Sequence, residues 1–173
     1  DNQVTCQMAL SDLPPLIDVL GEENQEYATI ATCDYQKLMR KNAPKEVLDH
    51  NSPNNNPKLI ELMKALPDGG SPLDVPEELR PTSGFANCYC RLWWNRPSTT
   101  ITRNFGCVSS GRCIHPKSPR PRTTREGARL QGFPDNYLFY GSRSDKNLQI
   151  GNAVPCNLAK AIALECRRTL KNV

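Results

Sequence analysis

Two groups of residues in this 173-residue chain have the types that chemistry needs. Residues 80–130 hold ten Lys and Arg, nine of them Arg, against one acid, Glu126, whereas residues 1–79 hold 6 basic against 14 acidic residues and 131–173 hold 6 against 3. Such a block suits a polyanion, because each neutralised phosphate releases counterions and a guanidinium forks two hydrogen bonds to a phosphate or a guanine edge. A solvated basic face is the competing account of the same residues. The second group is Cys88-x-Cys90, Cys107-x5-Cys113 and His115, enough soft ligands for one tetrahedral zinc but without the paired Cys-x2-Cys knuckles of common zinc folds. The eight cysteines are therefore expected as reduced thiols, since a chain of this length with 38% apolar residues does not need stapling.

The elements that must position these residues are marked by their punctuation. Thr5 caps a helix from Val4 to Leu13 that Pro14-Pro15 stops, and Asp34 caps one reaching Lys41. The stretch from Asn42 to Asn56 reads as a polar loop holding His50, expected as a surface or locally bonded residue. Asn56-Pro57 opens a helix with Leu59, Leu62, Met63 and Leu66 on one face, ended by Pro67 and Gly69-Gly70. Leu73, Val75 and Leu79 give the following proline-rich loop something to pack. Tyr89–Trp94 and the β-branched Thr99–Asn104 predict a hairpin around Asn95-Arg96-Pro97-Ser98, followed by a Gly/Ser loop carrying Arg112. Trp93 and Trp94 are expected to pack.

Thr123 stands three residues before Glu126 as a capping box, and Gly132 with Pro134 ends that helix after about two turns. Gly151-Asn152 predicts a turn that opens a second helix with Pro155 at its first position. An amphipathic helix over Asn157–Leu170 closes the chain, Cys156 and Cys166 packing as small apolar residues. The chain has no run of 18 apolar residues and no basic-then-apolar leader.

Thr124-Arg-Glu-Gly-Ala-Arg-Leu-Gln-Gly-Phe-Pro-Asp-Asn-Tyr137 and Gln149-Ile-Gly-Asn-Ala-Val-Pro155 resemble the last two signature motifs of the DNA (cytosine-5) methyltransferases, in order and at the family's separation. Ala9-Leu-Ser-Asp-Leu-Pro14 is similar to the segment leaving that family's catalytic core. Arg91-Leu-Trp-Trp94 and Arg96-Pro-Ser-Thr-Thr-Ile101 are similar to its target-recognition region. The resemblance implies an α/β fold: the C-terminal part of a Rossmann-like, S-adenosylmethionine-dependent methyltransferase domain with a smaller mixed target-recognition domain. Residues 1–33 would finish the catalytic domain, 34–122 would form the recognition domain, and 123–173 would return to the catalytic domain.

By the same resemblance Gly151, Asn152, Ala153 and Val154 line the cofactor pocket, and Thr100 sits beside the gap left by a flipped base. Arg91, Arg96, Arg103 and Arg112 are the candidates for DNA contacts, and Arg125 and Glu126 organise the motif helix as a buried pair or cap. The family's Phe-x-Gly-x-Gly, Pro-Cys-Gln and Glu-Asn-Val motifs belong upstream of Asp1. Pro155-Cys156 matches the nucleophile pair only by coincidence, and Glu22-Glu23-Asn24-Gln25 does not match the carboxylate motif. No catalytic residue is expected in the chain, which alone would be inactive. Its implied partners are duplex DNA and the remainder of the same polypeptide, with no membrane, in a nucleus or, in a prokaryote, the cytoplasm. A non-catalytic nucleic-acid-binding module and an RNA cytosine-5 methyltransferase relative are the alternatives, the second weakened because that branch's Cys-Phe-Thr insertion is missing.

Overall fold

The structure, a computed structural model, describes residues 3–16 and 25–171; Glu22–Asn24 lie outside them. Its elements in chain order are α1 (Cys6–Leu10), β1 (Gln25–Glu26), α2 (Asp34–Met39), β2 (Glu46–Val47), α3 (Pro57–Ala65), β3 (Cys90–Arg91), β4 (Arg112–Ile114), α4 (Thr124–Gln131), α5 (Arg143–Asn152) and α6 (Cys156–Lys171). Strands β1 and β2 pair antiparallel, and β3 and β4 pair parallel. These two-stranded pairs are the sheets among the described residues.

Three apolar clusters fill the fold. Leu62, Met63 and Leu66 of α3 and its end pack on Val75, Val108, Cys113 and Ile114. Cys6, Ala9 and Leu10 of α1 pack with Leu13, Val47 and Leu92. Ile101 and Phe105 insert among Ala128, Phe139 and Ile150. Leu130 touches the last two clusters, so α4 lies between them.

Helix α4 is polar in composition, yet Thr124–Arg129 and Gln131 are all buried. Such burial is tolerable only if every polar group has a partner. The capping box supplies the first pair: Glu126 N donates to Thr123 Oγ1 at 3.2 Å and Thr123 N to Glu126 Oε2 at 2.8 Å. Gly132, at φ 93°, closes the other end, with Gly132 N on Arg129 O and Phe133 N on Ala128 O, the two bonds of a Schellman motif. Arg120 grips the Glu126 carboxylate with two nitrogens at 2.7 and 2.8 Å. Arg125 spends its guanidinium on the carbonyls of Leu48, Pro134 and Tyr137. Arg129 meets Asp135 Oδ2 at 2.6 Å and Asp12, whose carboxylate is fully buried.

His50 is neither the surface nor the locally bonded residue expected; it is wholly buried and its ring bonds to residues far away in sequence. Its Nε2 faces the Pro14 carbonyl at 2.8 Å, which only accepts, so Nε2 carries the proton and Nδ1 accepts from the Thr123 hydroxyl at 2.9 Å. The hydroxyl that caps α4 thereby also ties the 42–56 loop to it. His115 Nδ1 accepts from the backbone N–H groups of Lys117 and Ser118, which leaves its proton on Nε2 toward Glu126. Burial lowers the pKa of both imidazoles.

Several expectations are corrected. Thr99–Asn104 is not a strand: Phe105 N bonds back to Thr102 O at 3.1 Å as a turn, because Ile101 and Phe105 find a deeper site against α4 and α5 than a hairpin partner would offer. The partner of β3 is instead β4, eleven residues beyond Ile101. Gly151-Asn152 ends α5 rather than opening a helix, and α5 occupies what reads as a polar passage because Ser142 and Asp145 form a second capping box. The cap of α2 is Cys33, with Asp34 inside its first turn. In α6 no residue is buried, so Cys156 and Cys166 are exposed thiols rather than packed ones. Leu73 is 78% exposed, leaving the buried Val75 and the partly buried Leu79 to pack the loop on the first cluster.

Replacing Arg129 by Met strands two buried carboxylates, and should lower the unfolding free energy by about 3–5 kcal/mol, measured by urea denaturation. Acid should also weaken the fold. For the histidines the unfolded chain binds protons near pH 6.5 that the folded chain refuses, so their stabilisation is complete above that pH and falls below it. Burial alone would raise the Glu126 pKa, but the Arg120 guanidinium overrides it and holds it well below the usual carboxylate range. That contribution is complete above pH 4.5 and is lost as the pH drops further. The urea midpoint should hold steady between about pH 7 and 8 and decline in two stages below, and His50→Gln should flatten the upper stage.

Candidate functional site

Three of the residues expected at the site, Thr100, Gly151 and Ala153, line one cleft of about 580 Å³. One wall is Pro97–Ile101; the other is Gln131-Gly132 at the end of α4, Gly151 and Ala153 at the end of α5, and Pro155 and Leu158 at the start of α6. Thr100 and Gly151 thus face the same space although 51 positions separate them. Asn152 and Val154 are exposed beside it and do not line it.

The local chain explains why these walls meet. The α5 backbone presses on the turn after Thr100 so closely that a Cβ on Gly151 would sit 2.2 Å from Arg103 N and 2.3 Å from Arg103 Cα. Gly127 of α4 makes the matching notch, where a Cβ would lie 2.1 Å from the Phe105 ring. Thr99 Oγ1 donates to Arg112 O at 3.3 Å and Arg122 donates to Ser98 Oγ at 3.1 Å, holding the other side of the segment. On the opposite wall Gln131 Nε2 donates to the carbonyls of Ile150 and Ala153, fixing the turn that follows α5. Gln131 was not singled out in the sequence; its signal was its place inside the first motif, one residue before the capping glycine.

The four candidate arginines have different fates. Arg91 is corrected: it is 5% exposed, and its guanidinium donates to the carbonyls of Leu66, His115, Ser118 and Met63, so it staples β3 to its surroundings and cannot reach a phosphate. Arg112 is half-buried, with one nitrogen on the carbonyls of Gly69 and Gly70 and its guanidinium 4.0 Å from the Trp93 ring centre. Arg96 is exposed and lies over the same ring at 5.3 Å. Arg103 is exposed on the turn that Gly151 supports.

The basic block therefore does less at the surface than its composition suggests. Arg91, Arg120, Arg122, Arg125 and Arg129, five of its nine arginines, are buried. Burial lowers the pKa of Arg91, Arg122 and Arg125; burial acts the same way on Arg129, but the hydrogen bonds it donates to Asp135 and Asp12 outweigh it and raise its pKa. Arg80 is turned onto the carbonyls of Val75 and Leu73. That leaves Arg96, Arg103 and Lys117 as the exposed members.

The cleft is lined by apolar side chains, among them Val4, Ile101, Leu130 and Leu158, together with hydroxyls, amides and backbone, and among the described residues no thiol, imidazole or carboxylate lies on its wall. Its chemistry is binding and positioning. Cys156 is exposed at the start of α6 and does not line the cleft. The Cys88, Cys90 and Cys113 thiols are buried, that of Cys113 pushed up to about 12 by burial. Among the described residues no three His, Cys, Asp or Glu side chains gather as a metal-binding group.

The profile of the family described as C-5 cytosine-specific DNA methylase matches residues 12–168. The chain is 38% identical over 117 residues to the type II methyltransferase M1.HphI of Haemophilus parahaemolyticus, a match covering 68% of this chain and 30% of that protein. It is 34% identical over 192 residues to DNA (cytosine-5)-methyltransferase 4 of Arabidopsis thaliana, covering 96% of this chain and 12% of the relative. A crystal structure of a DNA modification methyltransferase encoded within an E. coli prophage superposes with a TM-score of 0.62 at 24% identity, covering 87% of this chain and 42% of that one, a likeness of fold. The chain thus spans well under half the length of these relatives. With the profile running through both walls of the cleft, the chain belongs to the C-5 cytosine-specific DNA methylase family.

Proposed function

We propose that this chain is the C-terminal part of a DNA cytosine-5 methyltransferase, the part that reads duplex DNA and closes the cofactor pocket. The observation that carries the proposal is the cleft in which Thr99–Ile101 face Gly151 and Ala153. In the complete enzyme a cytosine is flipped out of the duplex, because a stacked base hides C5 and C6. A cysteine outside this chain attacks C6, and C5 takes the methyl group of S-adenosylmethionine. Gly151 and Ala153 on the cleft wall, with Asn152 and Val154 exposed beside it, form one side of the cofactor site, Gly151 allowing the close approach and Gln131 fixing the turn. Thr100 stands at the flipped base, and Arg96 and Arg103 contact the DNA backbone, with Arg112 bracing the Trp93 platform between its carbonyl bonds and Arg96.

Residues 1–33 and 123–173 belong, in this reading, to a doubly wound α/β catalytic domain and 34–122 to the smaller recognition domain. The Arg129–Asp12 pair, joining α4 to the segment after α1, supports the first grouping. The remainder of the polypeptide covers α6, whose Leu158, Ile162 and Leu170 are 52%, 54% and 76% exposed. A row of apolar residues on a helix with no buried position is a face without its partner, and relatives two to eight times longer supply a length of chain that could cover it.

The test is methyl transfer from S-adenosylmethionine to cytosine C5 in duplex DNA. The full-length enzyme should perform it and the 173-residue chain alone should not; transfer by the chain alone would overturn the division of labour, and transfer by the full enzyme to tRNA but not to duplex DNA would favour the RNA relative. In the full enzyme, Arg96→Ala and Arg103→Ala should each reduce the slope of log affinity against log salt by about 0.9. Arg91→Ala should leave that slope unchanged and lower the unfolding midpoint instead.

A further inference from the structure

We infer that Gly151 is a positioning residue that couples cofactor binding to target recognition, with Phe105 and Gly127 as the second anchor of the same coupling. The inference rests on the proposed reading of the two walls and adds an interaction between them. The recognition segment does not float beside the cofactor motif. Ile101 and Phe105, 5% and 1% exposed, plug the space between α4 and α5, while Thr102, Arg103 and Asn104 between them stay exposed. One side of this plug rests on Gly127 through the Phe105 ring, and the other rests on Gly151 through the backbone of Thr102 and Arg103.

Both supports lack a side chain that could yield. Contact at Gly151 is with backbone atoms, which cannot rotate away as a flexible side chain would, so a displacement of α5's last turn moves the Arg103 backbone with it. Asn152 follows Gly151 directly, and Ala153 is tied back by its N–H to Ile150 O at 3.2 Å and by Gln131 to its carbonyl. The residues expected to touch cofactor and the residue that braces the recognition turn are therefore consecutive in one hydrogen-bonded turn. A ligand that orders Asn152–Val154 then also favours one position of Thr100 and Arg103. By linkage the duplex favours the same position of the cofactor wall, and the two affinities change by one common factor.

The experiment uses the full-length enzyme, a cognate duplex and S-adenosylhomocysteine, which occupies the cofactor site without reacting. Duplex affinity is measured by fluorescence anisotropy with and without S-adenosylhomocysteine, and S-adenosylhomocysteine affinity by calorimetry with and without duplex. In the unaltered enzyme each ligand should tighten the other by a common factor between about 5 and 150. Gly151→Ala should bring that factor toward one while a cooperative melting transition is retained, and Phe105→Leu, which trims the other anchor without inserting anything, should lower it by a smaller amount. A role in packing alone would shift the melting midpoint and leave the factor intact. A factor of one in the unaltered enzyme, or an unchanged factor in a folded Gly151→Ala enzyme, overturns the inference and leaves the assignment of the two walls standing. Should Gly151→Ala fail to fold, Phe105→Leu decides alone, an unchanged factor counting against the inference. An unaltered enzyme that binds neither ligand overturns the assignment itself.

Discussion

Arg129 is the residue on which the arrangement of this protein depends. Its guanidinium is entirely out of water, a position that costs several kcal/mol unless each of its N–H groups finds an acceptor. It does so with Asp135, Asp12 and the Ala9 carbonyl, drawing together α1, α4 and the chain between α4 and α5. The carboxylates are held in turn: Tyr27 donates to Asp135 at 2.8 Å and Arg40 approaches Asp12 at 3.4 Å. Because the cleft's second wall is the end of α4 and α5, this buried ion cluster sets where that wall stands relative to the start of the chain.

The same helix shows how far the sequence can be read. The two ends of α4 were legible because a capping box and a left-handed glycine act over three or four residues and depend on little else. The cap of α3 at Asn56-Pro57 was legible for the same reason. The fate of the arginines was not, since whether a guanidinium meets water or a carbonyl is decided by segments far away in sequence. Arg91 finds carbonyls 24 to 28 residues away on both sides, and no local pattern announces them. His50 was hidden similarly, its partners being Pro14 and Thr123. Thr99–Asn104 has the β-branched composition of a strand, but an extended form would have taken Ile101 and Phe105 out of the third core cluster. Helix α5 could have been found, for Ser142-x-x-Asp145 has the spacing of the box at Thr123-x-x-Glu126 with Asp in place of Glu.

The site was legible as a set of motifs but not as a shape. Motif identity assigned Gly151 to a cofactor pocket and Thr100 to the gap left by a flipped base; their meeting across one cleft depends on the two glycine notches and on the crossing of the 99–106 segment over α4 and α5. Positive charge at that cleft is sparser than composition implies. The exposed cations of the basic block are Arg96, Arg103 and Lys117, and Trp93, set against Arg112 and Arg96, adds rigidity to one of them.

The glycine notches also bear on how such a protein can diverge. Every residue other than glycine carries a Cβ, so at Gly127 and Gly151 each of the nineteen replacements meets the same obstacle, an aromatic ring in one case and backbone in the other. Thr100, Thr102, Arg103 and Asn104, carried on the segment those notches hold, are exposed and free of that restriction. A lineage built on this scaffold can exchange these exposed residues while the seat beneath them stays unchanged, so that the surface chemistry of the segment varies through single substitutions without passing through an unfolded ancestor.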